Sequence, residues 1–358
     1  MVKVWLLSLL LFASVSARAD AGAVEPANQA TAAAEAMPAP GRPRVLPTIT
    51  AVVPGLLVHG TGHFVAGETR TGYRLLAAEG AGLGLMVAGI AGLAVTGASP
   101  KTIGPFIAVS ALGGGLFGSS ALADIYGVLA PEGGFGRPLL QPALELEVGP
   151  RYVRDPIFDY DAFSHVAATS WLGDVRVQLS GWLGLGHDNQ RLRALGAYRL
   201  LRSGQGSYID LELGASHHRF APERFSTSFA EASVTGRLEL SVLGRTLAGS
   251  FFDYGLGYAL GANRQFDTST ESDEMMLARF GFGFFIGDGG DVTLYYDHRH
   301  DGFAAGLKVP GLGSGPLGHF GLHVRHFFSE DMGASLFAES GSAYVVGLSL
   351  LLRRRTWQ

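Results

Sequence analysis

The chain has 358 residues, a net charge of −4 and no cysteine. That balance gives no argument for a nucleic-acid partner, and the missing cysteines exclude disulfide stapling and a lipid-modified cysteine. Length alone permits one large domain or two smaller ones.

Residues 1–19 carry Lys3, an apolar core and a small-x-small triplet, Ala17-Arg18-Ala19. This is the pattern of a secretory signal peptide, with a core too short to span a bilayer. Residues 20–47, rich in Ala and Pro, read as a flexible periplasmic tether. Residues 48–130 read as an apolar helical hairpin. Its two uncharged runs are separated by Lys101. Gly80, Gly84, Ala88 and Gly92 recur every four residues in the first run, as do Ala111, Gly115, Ser119 and Ala123 in the second. Residues four apart share a helix face, and small ones let two backbones approach, so each ladder is expected to pack against the other. The hairpin is placed either at a barrel's periplasmic mouth or beside the barrel in lipid, and it offers a surface for an envelope protein partner.

Before it, Pro54, Gly55, Gly60, Gly62 and Phe64 form a stretch that resembles the Pro-Gly…Gly…aromatic opening of an uncharacterised bacterial envelope family, which precedes paired hydrophobic helices. His59 and His63 stand four apart, the spacing of two metal ligands on one helix face. Two ligands do not make a site and Gly60 and Gly62 weaken a helix, so no metal or other cofactor is expected.

Residues 142–353 alternate in polarity. The clearest case is 226–263, where Ala230, Ala232, Val234, Leu238, Leu240 and Val242 oppose Glu231, Arg237 and Glu239. After a turn over 243–246 the alternation returns with Phe252, Tyr254, Tyr258 and Leu260. Runs this long exceed ordinary strands of about five or six residues and suit strands tilted across a bilayer. Ten further runs, centred near residues 148, 167, 180, 196, 212, 280, 295, 323, 335 and 348, bring the count to twelve. An even count with short turns at one end and longer loops at the other predicts an all-β transmembrane antiparallel barrel. Residues 302–309 are taken as loop. The final run, 344–353, resembles the C-terminal signal that the barrel assembly machinery reads in Gram-negative outer-membrane barrels. That resemblance implies an outer-membrane location, a periplasmic N-terminal segment and contact with outer-membrane lipid.

The inward positions collect Glu145, Glu147, Asp174, Asp210, Glu212, Glu231, Glu239, Asp253, Asp291 and Asp297. Opposing them are Arg151, Arg176, Arg191, Arg193, Arg199, Arg237, Arg279, Arg299 and Arg325. Near neutrality argues against an ion-selective pore and for a salt-bridged interior. One local motif stands apart. Tyr296, Asp297, His298, Arg299, His300, Asp301 and Gly302, with Ala305, Gly306, Leu307, Pro310 and Gly311, resemble the strand end of the outer-membrane lipid A deacylases. His298 matches that family's base, but its serine nucleophile falls on His300 and its asparagine on Asp301. The resemblance implies a hydrolase acting on lipid A or phospholipid. The departures favour a non-enzymatic barrel with a structural, interaction or passive small-solute transport role.

Overall fold

The computed structural model describes residues 45–354 apart from 98, 100–101, 131–132, 140, 157–159, 204–205, 221–224, 266–269, 300 and 309–316. The signal peptide and nearly all of the tether therefore lie outside the described residues. Four helices come first: α1 (Val45–Val52), α2 (Thr61–Val65), α3 (Thr69–Val95) and α4 (Ile103–Leu129). Helix α1 begins within the segment read as tether.

Twelve strands follow: β1 (Leu144–Arg154), β2 (Ala162–Leu172), β3 (Val175–Gly184), β4 (Gln190–Arg202), β5 (Tyr208–Phe220), β6 (Phe225–Glu239), β7 (Ser250–Gln265), β8 (Thr270–Ile286), β9 (Gly290–Asp297), β10 (His319–Phe327), β11 (Met332–Ser340) and β12 (Tyr344–Arg354). Each pairs antiparallel with its neighbours, and β12 closes on β1 with Leu144 opposite Arg354 and Arg154 opposite Tyr344. Closure leaves no strand edge, as lipid requires of a spanning sheet. Residues 302–308 are loop, as expected.

Alternation sets the two faces. Leu179, Leu213, Leu348 and Leu294 point out and are exposed, whereas Arg151, Asp210, Asp291 and Ser349 point in and are buried. An apolar exterior is stable only if lipid covers it. Arginine at Leu179, which is 57% exposed at mid-strand, should destabilise the barrel by about 2–4 kcal/mol, while arginine at neighbouring Gln178 should cost less. Heat-modifiable gel migration reads both, and equal losses would contradict this assignment of faces.

One part of the pattern is corrected. Strand β6 ends at Glu239, and two 3-10 turns, Leu240–Val242 and Arg245–Leu247, fill the connection to β7. Leu240 and Leu247 are buried there with Leu238 and Phe252, under α3 and α4 rather than in the lipid-facing band. Leu75 of α3 and Ala123 and Tyr126 of α4 complete that core.

The helix pair thus lies on the barrel's outer wall. Tyr126 packs on Phe282 and Phe284, and a Cβ at Gly115 would fall 2.8 Å from that of Phe280. These three phenylalanines alternate along β8 on its outward face. At 27 residues each, α3 and α4 are about 40 Å long, enough to cross the ~30 Å hydrocarbon core and reach the headgroups. The strands they cover, β7 and β8, are the longest in the barrel, at 16 and 17 residues.

The two ladders divide differently from expectation. Gly82 meets the backbone of Gly113 and Phe117, and Gly89 meets Phe106 and Ser110, so these make the close approach between helices. Gly80 and Gly84 face open space, and Gly115 of the second ladder faces the barrel instead of α3. Spacing identifies a smooth helix face but not which neighbour uses it.

Candidate functional site

Two features build the candidate site: a charge-lined lumen with a ring cluster at its loop end, and a buried polar clamp that fixes the helix pair to the barrel.

At the loop end, the β9–β10 connection turns into the barrel. Phe303 is buried, stacked on Trp182 with centroids 5.1 Å apart, and packed on Phe163 and His218, each at 4.5 Å. Ala305 holds φ at 47°, a left-handed conformation disfavoured for a residue with a Cβ, so the loop's contacts impose its course. Below the rings runs a chain of charges. Arg191 and Arg299 both bind Asp301, at 3.0 and 2.7 Å; Arg299 also binds Glu231 at 2.8 Å, and Arg193 donates to Glu231. Burial opposes ionisation of Asp301, but the two guanidiniums hold its carboxyl far below the usual carboxylate range. Charges removed from water must be paired in this way.

Most of the remaining inward charges are paired as well, while Asp174 lies exposed at a turn beside Arg202 instead of in the lumen. Arg151 binds Glu147, Arg176 binds Glu212, Arg199 binds Asp210 and Arg237 binds Asp253. Arg325 reaches Asp291 at 2.9 Å and Glu145 at 3.7 Å. Arg279 lies over the Tyr295 ring and opposite Asp297 in register. Glu239 is fixed by its backbone, whose N–H donates to Ser207.

Toward the turn end the lumen widens into a cavity of about 980 Å³, lined by Trp171, Tyr208, Phe285, Arg176, Arg237 and Arg325 among others. Residues 133–139 and 141–142, between α4 and β1, run across this end. The Arg137 N–H donates to the Gly287 carbonyl, Pro138 lies beside Gly206, and the Gln141 side-chain oxygen accepts from Arg199. Pro138, Leu139 and Pro142 form part of the cavity wall.

The clamp holds the two histidines singled out in the sequence. They do not share a helix face: His59 precedes α2 and His63 lies within it. Asp124 of α4 accepts from the backbone N–H groups of Gly60 (2.9 Å), Gly62 (3.2 Å) and His63 (3.3 Å). Its Oδ1 lies 2.6 Å from His63 Nδ1, so that nitrogen carries the proton. His63 Nε2 is then left to accept from the Thr246 hydroxyl at 3.1 Å, in the β6–β7 turn. Gly127 makes room, since a Cβ there would fall 2.5 Å from His63 Nε2.

His59 sits 2.6 Å from the Ser120 oxygen, whose own hydroxyl donates to Phe117, so His59 donates through Nδ1. Burial pushes its pKa below the ordinary imidazole value, and its backbone N–H donates to Glu79. Arg74 completes the attachment by donating to the carbonyls of Val242 and Leu243. Among the described residues no group of three ligating side chains is placed to hold a metal. Carboxylate, imidazole and hydroxyl stand in the order that activates a nucleophile, but both imidazoles are fully buried. What the arrangement does physically is join the residues before α3, helix α4 and a barrel turn.

Asp124 and Glu79, which hold this clamp, bound the two uncharged runs of the sequence. A carboxylate at the edge of an apolar helix was the signal that marked them.

At the rim motif, His298 and Asp301 part company. His298 faces outward, its Nδ1 3.0 Å from the Tyr296 hydroxyl, which in turn accepts from the Gly318 N–H. Asp301 turns into the lumen with its arginines, and His300 lies outside the described residues. The base-and-carboxylate arrangement of the deacylases is therefore not assembled from these residues.

No protein family and no curated protein sequence matches the chain. Among solved structures it is similar to Omp33 of Acinetobacter baumannii, at 10% identity and a TM-score of 0.33 over 60% of this chain and 100% of that one. It is similar to the KdgM porin at 4% identity and a TM-score of 0.40, over 60% and 99% of the two chains. It is also similar to outer membrane phospholipase A from Escherichia coli, at 11% identity and a TM-score of 0.36, over 61% and 95%. The class rests on the molecule itself. A closed twelve-stranded antiparallel barrel, apolar outside and charge-paired within, is the fold of Gram-negative outer-membrane proteins.

Proposed function

We propose that this chain is a non-conducting outer-membrane barrel with a structural or interaction role, acting through the helix pair on its outer wall. The observation that carries this reading is the occupied loop end of the lumen: Phe303 and its ring partners block it, a chain of paired charges lies beneath them, and residues 133–139 and 141–142 border the cavity at the other end. An open porin needs a continuous water path, and a ring cluster over paired charges supports the opposite reading. Short turns, the start of β1, the end of β12 and the clamp then face the periplasm, and the longer loops face outward, the usual orientation of such barrels. In this orientation α3 and α4 cross the outer membrane beside the barrel, and α3 presents most of its surface, including Leu83, Val87 and Ile90, to lipid. Such a face is available to another membrane-embedded partner.

Planar-bilayer recording tests the reading. The wild-type protein should insert without step conductance, whereas replacing residues 301–305 by a short glycine linker should produce discrete openings. Stable ohmic steps from the wild type would instead make it a small-solute channel.

A further inference from the structure

An apolar crevice of about 700 Å³ runs between the helix pair and the outer wall. This volume lies within the ~300–1,000 Å³ typical of small-molecule sites. One side is α4, where Gly114 and Gly118 leave the space open: a Cβ at Gly118 would meet nothing within 4 Å. The other side is Phe282, Leu294, Tyr296 and Phe320 of β8, β9 and β10. Ile90 and Leu93 of α3 close it laterally, and Leu307 and Leu317 of the β9–β10 connection form its loop-end limit. Directly after Leu307 comes Lys308, whose side chain is exposed.

We infer that this crevice holds an acyl chain of an anionic membrane phospholipid, with Lys308, the residue after the lining Leu307, meeting its headgroup. This rests on the reading of the chain as a membrane barrel. Three observations select that occupant. The crevice is continuous with the lipid-facing band through Ile90, Leu294 and Phe320, all exposed, so lipid reaches it without any opening motion. Its lining is apolar, and at membrane depth no water competes for it. A lysine at the membrane surface attracts anionic headgroups, and Lys308 is one of only three lysines in the chain. A chain lodged there touches protein on two sides, unlike lipid against the smooth wall of β3 or β5. The lodged lipid also fills the gap that the glycines leave between helix and barrel, where a void would forfeit packing.

The test uses the full-length mature protein in nanodiscs containing diazirine-tailed phosphatidylglycerol or diazirine-tailed phosphatidylcholine, with adducts mapped by mass spectrometry. Phosphatidylglycerol adducts should concentrate several-fold on residues 114–122, 294–296, Leu307 and Phe320 over the far wall around Leu179 and Leu213, and should exceed those of phosphatidylcholine. Gly118→Phe, or Gly114→Phe if the first variant folds poorly, should abolish the concentration while far-wall adducts persist as evidence of folding. Lys308→Ala should equalise the two lipids. Adducts spread evenly around the exterior, or unchanged by either phenylalanine, would overturn the crevice. Equal labelling by both lipids in the wild type would overturn the anionic-headgroup contact of Lys308. Adducts on no exterior residue, Leu179 and Leu213 included, would instead contradict the membrane reading itself.

Discussion

Asp124→Ala should release the helix pair from the barrel. The carboxylate is fully buried and accepts from three backbone N–H groups and the His63 ring. Its removal leaves those donors without acceptors in a dry site. Each buried donor left unsatisfied costs roughly 1–3 kcal/mol, and several are orphaned at once. His63 then loses the group that fixes its tautomer, and with it the hydrogen bond from Thr246. Limited trypsin digestion in detergent reads the effect directly. Arg70 and Arg74 should become cleavable, whereas heat-modifiable migration of the barrel should survive. Asp124→Asn, which keeps one acceptor oxygen, should fall between. Protection of both arginines in the alanine variant would show that the clamp contributes little to docking.

Gly113→Leu should force the two helices apart, while Gly84→Leu should leave them in place. A Cβ at Gly113 would lie 2.6 Å from the Gly82 carbonyl oxygen and the Met86 backbone nitrogen. Both are backbone atoms in regular helix and cannot swing aside, so leucine exceeds the ~1–3 kcal/mol usual for overpacking only if the helices fail to separate. At Gly84 a new side chain meets nothing within 4 Å and enters lipid. A cysteine pair made by Gly92→Cys and Phe106→Cys reports the helix spacing, since a Cβ at Gly92 falls against the Phe106 ring. Crosslinking should fall sharply with Gly113→Leu and stay unchanged with Gly84→Leu. Equal loss from both would restore the sequence-based pairing of the ladders.

That contrast also shows where the sequence is legible. Strand faces follow from a two-residue period, a property of each strand alone, and so Tyr258 and Leu260 are outward in both sequence and structure. The inward charges are legible for the same reason, although which arginine meets which carboxylate depends on register. The ladders, the clamp and the rim motif depend on contacts between distant segments. His63 is 61 residues from Asp124 and 183 from Thr246, separations at which periodicity carries no information. The β6–β7 connection misleads for a different reason. Alternation continues through Leu240 and Val242, but the chain has already left the sheet, because the helix pair buries Leu240 from the other side. A clue was present in Phe252, Phe280, Phe282 and Phe284, whose rings cluster on the outward face of one hairpin and need more cover than the valines and leucines elsewhere. The rim motif shows that a short resemblance carries residue types without geometry: His298 and Asp301 are three residues apart and face opposite sides of the wall.

The account depends most on α3 and α4 lying against the barrel wall at membrane depth. Because the chain has no cysteine, the pair Gly115→Cys and Phe280→Cys can be introduced on a clean background. The two Cβ positions are 2.8 Å apart, and loss of the phenylalanine ring leaves room to reach disulfide spacing, ~3.5–4.5 Å. Mild oxidation of intact outer membranes should form this disulfide nearly completely, and the control pair Gly84→Cys with Phe280→Cys should form none. A Gly115–Phe280 pair that stays reduced in the membrane while the barrel remains heat-modifiable would place the helices elsewhere and contradict the account.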